Sequence, residues 1–167
     1  MTLQEFNHLS LERLQEQLTH CCGSPKWVKE MLKNVPFQSK DELLKYAETL
    51  WFSTTENDWR DAFQHHPKIG DIESLQKKFA STAKWAEGEQ GSVKQATQET
   101  LEALAAGNLL YEQKFGFIFI VCATGKSAEE MLNLLQARIP NSMESELKNA
   151  MLEQQKITQI RLNKLLA

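Results

Sequence analysis

No stretch of the chain approaches the ~18 uninterrupted apolar residues that a membrane-spanning helix needs, so a transmembrane segment is not expected. Cysteine is scarce: Cys21, Cys22 and Cys122 are the whole set, two of them adjacent, with no Cys-x-x-Cys pair. An odd, unpaired set argues against a disulfide framework or a zinc knuckle and suits a reducing cytoplasm. Four prolines and seven glycines, with no Asn-Gly or Asp-Gly pair, leave little material for β-hairpins. A basic block is also missing; the net charge is −3, and a nucleic-acid partner is not expected. The polar, acidic start Met1-Thr2-Leu3-Gln4-Glu5 does not resemble a signal peptide. Neither an internal repeat nor a low-complexity tract is found.

What is there is ordinary globular composition, 41% apolar and 25% charged over 167 residues. A chain of this size buries roughly 70% of its unfolded surface and suits a single domain, residues 1–167. Helix-start signals recur. Thr2-x-x-Glu5, Ser39-x-x-Glu42 and Ser127-x-x-Glu130 match the capping box, and Ser24-Pro25 reads as an N-cap followed by proline at the first helical position. Apolar residues follow at three- and four-residue spacing: Leu11, Leu14 and Leu18, ending near Gly23; Leu43, Ala47, Leu50 and Trp51; Trp59 and Phe63; Leu101, Leu104 and Ala105; Met131, Leu132 and Leu135; and a long stripe from Leu147 to Leu166. The expected fold class is all-α, a single compact helical bundle.

Two stretches stand apart from this pattern. Phe115 to Ala123 is β-branched and aromatic, and propensity alone suggests a strand. A lone strand would leave its backbone groups unpaired, so a fully buried helix is the expectation. In Gln64-His65-His66-Pro67-Lys68-Ile69-Gly70-Asp71, two of the four histidines stand side by side ahead of a proline. Proline disfavours the α region for the preceding residue, so a helix running into His65 should stop near His66, with Gly70 free to turn. An imidazole at such a break can exchange protons near neutral pH or can simply cap a helix end. Glu89-Gln90 reads by itself as a solvated pair, and Arg161 as a surface charge beside a leucine stripe. Cys122, in an apolar run without a neighbouring base, reads as core.

Four pieces occur in a fixed order: His66-Pro67-x-Ile69-Gly70; Glu89-Gln90; Tyr111-x-x-Lys114-Phe115-Gly116-Phe117-x-Phe119; and Lys156-Ile157-Thr158-x-Ile160-Arg161-Leu162. As a set they resemble the 2-oxo-4-hydroxy-4-carboxy-5-ureidoimidazoline (OHCU) decarboxylases of urate degradation. The likeness runs from about Phe6 to Leu166. It implies an all-helical bundle that removes CO2 from OHCU to give S-allantoin without a metal or organic cofactor. It further implies His66 as catalytic histidine with Pro67 beside it, and Glu89 as its acidic partner and a substrate contact. Gln90 would contact the ring system, the backbone of Phe119, Ile120, Val121, Cys122 and Ala123 would face the substrate, and Arg161 would hold its polar end. Residues Ala86, Glu87 and Gly88 complete the substrate-binding segment. Family members often carry serine where this chain has Ala86, so a hydroxyl contact is missing there or supplied elsewhere, and Gly88 suggests a different local path.

The expected partners are the small molecule OHCU and a second copy of the chain in a homodimer, with no nucleic acid and no membrane. Two competing readings stand beside this one. A non-catalytic helical interaction module would use the amphipathic C-terminal helix. A metal hydrolase would use His65, His66 and Asp71, although the i, i+4 histidine spacing of zinc helices is absent.

Overall fold

The structure, a computed structural model, describes residues 1–68, 71–79 and 92–167, with backbone alone for 92–97. The chain divides into two compact units. Unit 1 comprises Met1–His66, Ile120–Cys122 and Leu147–Ala167; unit 2 comprises Pro67–Phe119 and Ala123–Glu146. Among the described residues every regular element is a helix, and none is long and apolar enough to cross a membrane.

Unit 1 opens with α1 (Leu3–Asn7), α2 (Leu11–Cys21), α3 (Pro25–Lys33), α4 (Lys40–Phe52) and α5 (Glu56–Gln64). The cap signals act as expected. Thr2 and Glu5 form a reciprocal capping box, Ser24 accepts from Trp27 N–H ahead of Pro25, and Ser39 accepts from Glu42 N–H. Helices α2, α4 and α5 pack on α3 or on each other through it. Their apolar stripes meet in one core that includes Leu14, Leu18, Trp27, Met31, Leu43, Ala47 and Trp51. Leu11, at the start of its stripe, is instead 68% exposed. The buried indoles find acceptors, as a buried N–H must. Trp27 Nε1 donates to Ala47 O and Trp51 Nε1 to Met151 O, each at 3.0 Å.

The long C-terminal helix closes this unit; with α6 (Ile72–Lys78), α7 (Ser92–Phe115) and α8 (Ala128–Arg138) preceding it, it is α9 (Met143–Leu165). Within unit 1 its buried residues are Leu147, Ala150, Gln154, Gln155, Thr158 and Leu162. Three polar residues thus stand in the middle of an otherwise apolar face.

Unit 2 pairs α7 with α6 and α8. Leu101, Leu104, Tyr111 and Phe115 of α7 are buried, as are Ala128, Met131 and Leu135 of α8. Gly107 permits the approach: a Cβ there would stand 2.7 Å from Leu135 Cδ2. A buried polar knot accompanies this packing. Glu146 Oε1 accepts from Tyr111 Oη at 2.6 Å and from Arg138 Nε at 2.7 Å, and Glu146 Oε2 accepts from Asn141 at 2.9 Å. Burial, and then the carboxylate acceptor, push the Tyr111 phenol above its ordinary range.

The segment from Phe115 to Ala123 departs from the helix expected for it. Helix α7 ends at Phe115; Gly116 follows at φ 78°, its N–H on Glu112 O at 2.8 Å. This left-handed cap favours glycine and turns the chain out of the helix. Residues 117–123 are then neither helix nor strand. Phe115, Phe117 and Phe119 instead gather around the Tyr111 ring at centroid distances of 4.5, 5.9 and 5.3 Å. The segment is also only partly buried: Phe117, Ile120 and Cys122 are inside, while Ile118, Phe119, Val121 and Ala123 are half-exposed.

Candidate functional site

Helix α5 stops where the His-His-Pro order predicts. Gln64 is its last residue, and the His65 and His66 N–H groups bond to Ala62 O and Phe63 O at 3.2 and 3.3 Å as the turn closes. His65 and His66 leave this turn in different roles. His65 is pressed on the backbone at the end of α2: a Cβ on Gly23 would lie 2.2 Å from His65 Cβ. His66 is half-buried, and its Nε2 meets Gln154 Oε1 on α9 at 2.5 Å.

Helix α9 gathers the rest. Gln154 Nε2 donates to Thr158 Oγ1 at 3.1 Å. Arg161, on the same face as Gln154 and two turns beyond it, is half-buried rather than on the buried stripe. Its Nη1 donates to His20 O at 3.0 Å, at the carbonyl end of α2. Among the described residues no carboxylate pairs with Arg161, so its guanidinium fork keeps donors for an anion. From the irregular segment, Cys122 N–H donates to Glu153 Oε2 at 3.3 Å. A ligand carbonyl reaching for that N–H has to displace the carboxylate.

At the end of α2, burial pushes the Cys22 thiol up to about 11, against bonds from Ser24 and Thr158 and the nearby Arg161 charge. Burial likewise pushes Cys21 up to about 12, against the pull of Arg161. None of the three cysteines forms a disulfide. Both groups stay protonated at neutral pH and are poor nucleophiles.

Within unit 1 the structure thus brings His66 and Cys122 against α9, the helix that carries Arg161; Ile120 and Val121 belong to the same unit. Pro67, Phe119 and Ala123 belong to unit 2. Ala86, Glu87, Gly88, Glu89 and Gln90 lie outside the described residues, as do Ile69 and Gly70. Among the described residues no group of three or more His, Cys, Asp or Glu is placed to hold a metal, His65, His66 and Asp71 included. Sequence reasoning missed Gln154, Thr158 and Gly23. The visible trace of the first two was a pair of polar residues four apart inside the stripe of a buried helix, the spacing at which side chains meet.

A family model described as OHCU decarboxylase matches residues 7–163. The chain is 37% identical over 161 residues to the uric acid degradation bifunctional protein TTL of Arabidopsis thaliana, covering 94% of this chain and 48% of that protein. It is 25% identical to a 2-oxo-4-hydroxy-4-carboxy-5-ureidoimidazoline decarboxylase of Haloferax volcanii, covering 97% of this chain and 94% of the relative. Against the crystal structure of an OHCU decarboxylase in the presence of (S)-allantoin it has a TM-score of 0.72 at 35% identity, over 90% of this chain and 97% of the other. The chain spans about half the length of the Arabidopsis relative and 32% of a Bacillus bifunctional protein.

Proposed function

Because the chain belongs to the OHCU decarboxylase family, we propose that it converts OHCU to S-allantoin and CO2 in urate degradation, with His66 as proton donor. What supports this reading is that His66 meets Gln154 of α9 while Arg161 extends from the same helix two turns on, both at positions that match the family's motif.

Decarboxylation breaks the bond between the substrate's carboxylate and its ring carbon. CO2 departs, and the bonding pair stays on that carbon. In OHCU the imidazoline ring conjugates that charge, so the substrate supplies its own electron sink and the reading needs no cofactor. Three tasks remain for the protein: hold the anion, stabilise charge on the ring, and deliver a proton to one face only.

Arg161 suits the first, through paired hydrogen bonds to a carboxylate or ureido group. Backbone groups of Phe119 to Ala123, with Gln90, serve the ring. The proton comes from the His66 imidazolium, which is then reprotonated from water, so each turnover consumes one proton and one carboxylate. Glu89 is assigned as the acidic partner that favours the imidazolium, and Pro67 as the wall beside it. Ala86, Glu87 and Gly88 complete the pocket in this reading, which also takes residues 1–167 as one domain in a cytoplasmic homodimer.

The test is the purified protein on freshly generated OHCU, following loss of OHCU absorbance and the circular dichroism of S-allantoin. Turnover is expected in the parent and a loss of roughly 10²-fold or more in His66→Asn, the usual scale for acid–base help. A parent without effect on OHCU decay refutes the activity. A His66→Asn variant at parental rate removes His66 from the mechanism.

A further inference from the structure

Gln154 is a fully buried glutamine with both ends of its amide engaged. Its Oε1 faces His66 Nε2, and its Nε2 donates to Thr158 Oγ1. Thr158 is 1% exposed, and its Oγ1 is the acceptor of that amide N–H. A hydroxyl oxygen accepts from an amide N–H whichever way its own proton points. The donor end of the Gln154 amide then belongs to Thr158, and only its carbonyl oxygen is presented to the imidazole. A carbonyl cannot donate, so the histidine nitrogen facing it must carry hydrogen.

We propose that Gln154 is a positioning residue that keeps His66 Nε2 protonated in every state of the ring, so that the proton exchanged in catalysis sits on Nδ1. This rests on the reading of His66 as proton donor and adds which atom gives the proton up. An amide is suited to that task. It fixes the rotation of a ring whose own torsion is broad. It brings no charge of its own to the ring, whereas a carboxylate in the same place would hold the imidazolium more strongly. The contacts run inward from solvent: His66 on its turn, then Gln154 and Thr158 one turn apart on α9. Other titratable groups on the elements meeting here include His65 on the same turn, Glu153, Lys156 and Arg161 on α9, and Glu16, His20 and Cys21 on α2; Glu89 is outside the described residues.

Two measurements test this. Long-range ¹H–¹⁵N spectra of labelled parent protein, taken above the titration of His66, report the neutral tautomer directly and need no substrate. The Nε2–H form is expected; an Nδ1–H form overturns the assignment even with the activity intact. Kinetics then use Gln154→Leu and Gln154→Glu on OHCU. Gln154→Leu should lower kcat roughly ten- to a hundredfold, the scale of a misplaced catalytic group, leave KM within about twofold, and move the alkaline limb of the pH profile to lower pH. Gln154→Glu retains an acceptor and adds charge, so it should keep more of kcat than Leu and move that limb to higher pH. Parental kcat and pH profiles in both variants overturn the positioning role. Full turnover by His66→Asn overturns the catalytic half through the reading beneath it, whereas an Nδ1–H tautomer does so with that reading standing.

Discussion

The space beside Gly23 Cα is occupied by His65: an added Cβ would fall 2.2 Å from His65 Cβ and 2.4 Å from its Cγ. Cβ is fixed to the backbone, so the clash cannot be relieved by swinging a side chain aside. Gly23→Ala must therefore shift the turn that carries His66. It is expected to destabilise the fold by about 1–3 kcal/mol, as other overpacked sites do, and to lower turnover of OHCU at least tenfold. His65→Ala should keep most activity, since His65 packs rather than reacts. Gly23→Ala combined with His65→Gly frees the space and should recover part of the rate. Thermal melting and steady-state kinetics on the three variants decide this; parental kinetics in Gly23→Ala would show that the turn is not held from this side.

Arg161 offers an anion a planar fork, already steadied at one nitrogen by His20 O. Lysine keeps the charge but not the fork. Arg161→Lys is therefore expected to raise KM for OHCU severalfold, and Arg161→Ala more, with smaller losses in kcat than in His66→Asn. Steady-state kinetics check this. Unchanged KM in both variants would make Arg161 a surface charge.

Gln155 contrasts with its neighbour. It is 7% exposed, and among the described residues neither amide atom has a hydrogen-bond partner. A buried unsatisfied amide costs about 1–3 kcal/mol. Gln155→Leu should thus raise the stability measured by urea unfolding by about 1 kcal/mol and leave kcat and the pH profile at parental values. A loss of stability would place an unseen polar partner on that amide.

The thiols beside Arg161 give the fold an alkaline limit. Folded Cys22 ionises near 11 and folded Cys21 near 12, against an ordinary 9.0. The folded values are raised, so their contribution is complete below the ordinary value and is lost as pH rises through the folded ones. Unfolding midpoints in urea should hold steady to about pH 9 and fall beyond it, less steeply in Cys22→Ala. Slow reaction of both thiols with a disulfide reagent in the native state, and fast reaction in urea, is the companion result.

The helices and their caps were legible because each signal is local. Ser24-Pro25 or Thr2-x-x-Glu5 needs no partner beyond one turn. The break at His66 was legible for the same reason. The path of residues 117–123 was not. The Gly116 cap and the ring cluster on Tyr111 override both the strand propensity and the expected helix, and tertiary contacts of that sort leave no periodic trace. Gln154 was hidden by distance: its partner His66 lies 88 residues away, and glutamine within a leucine stripe reads as surface by default. Arg161 reads from its neighbours as a surface charge, whereas the structure holds it half-buried beside a stripe that turns on Thr158 and Leu162.

Helix α9 is also a ruler. Gln154 and Arg161 are two turns apart, roughly 10 Å along its axis, and nothing in a continuous hydrogen-bonded helix lets that interval stretch. Whatever is held by Arg161 while it meets His66 is therefore gauged against a rigid scale. Molecules too short to bridge the interval touch one end or the other, never both. A single residue inserted between Gln154 and Arg161 would rotate one mark of the scale by about 100° from the other, unseating one end or the other while every side chain remained in the chain.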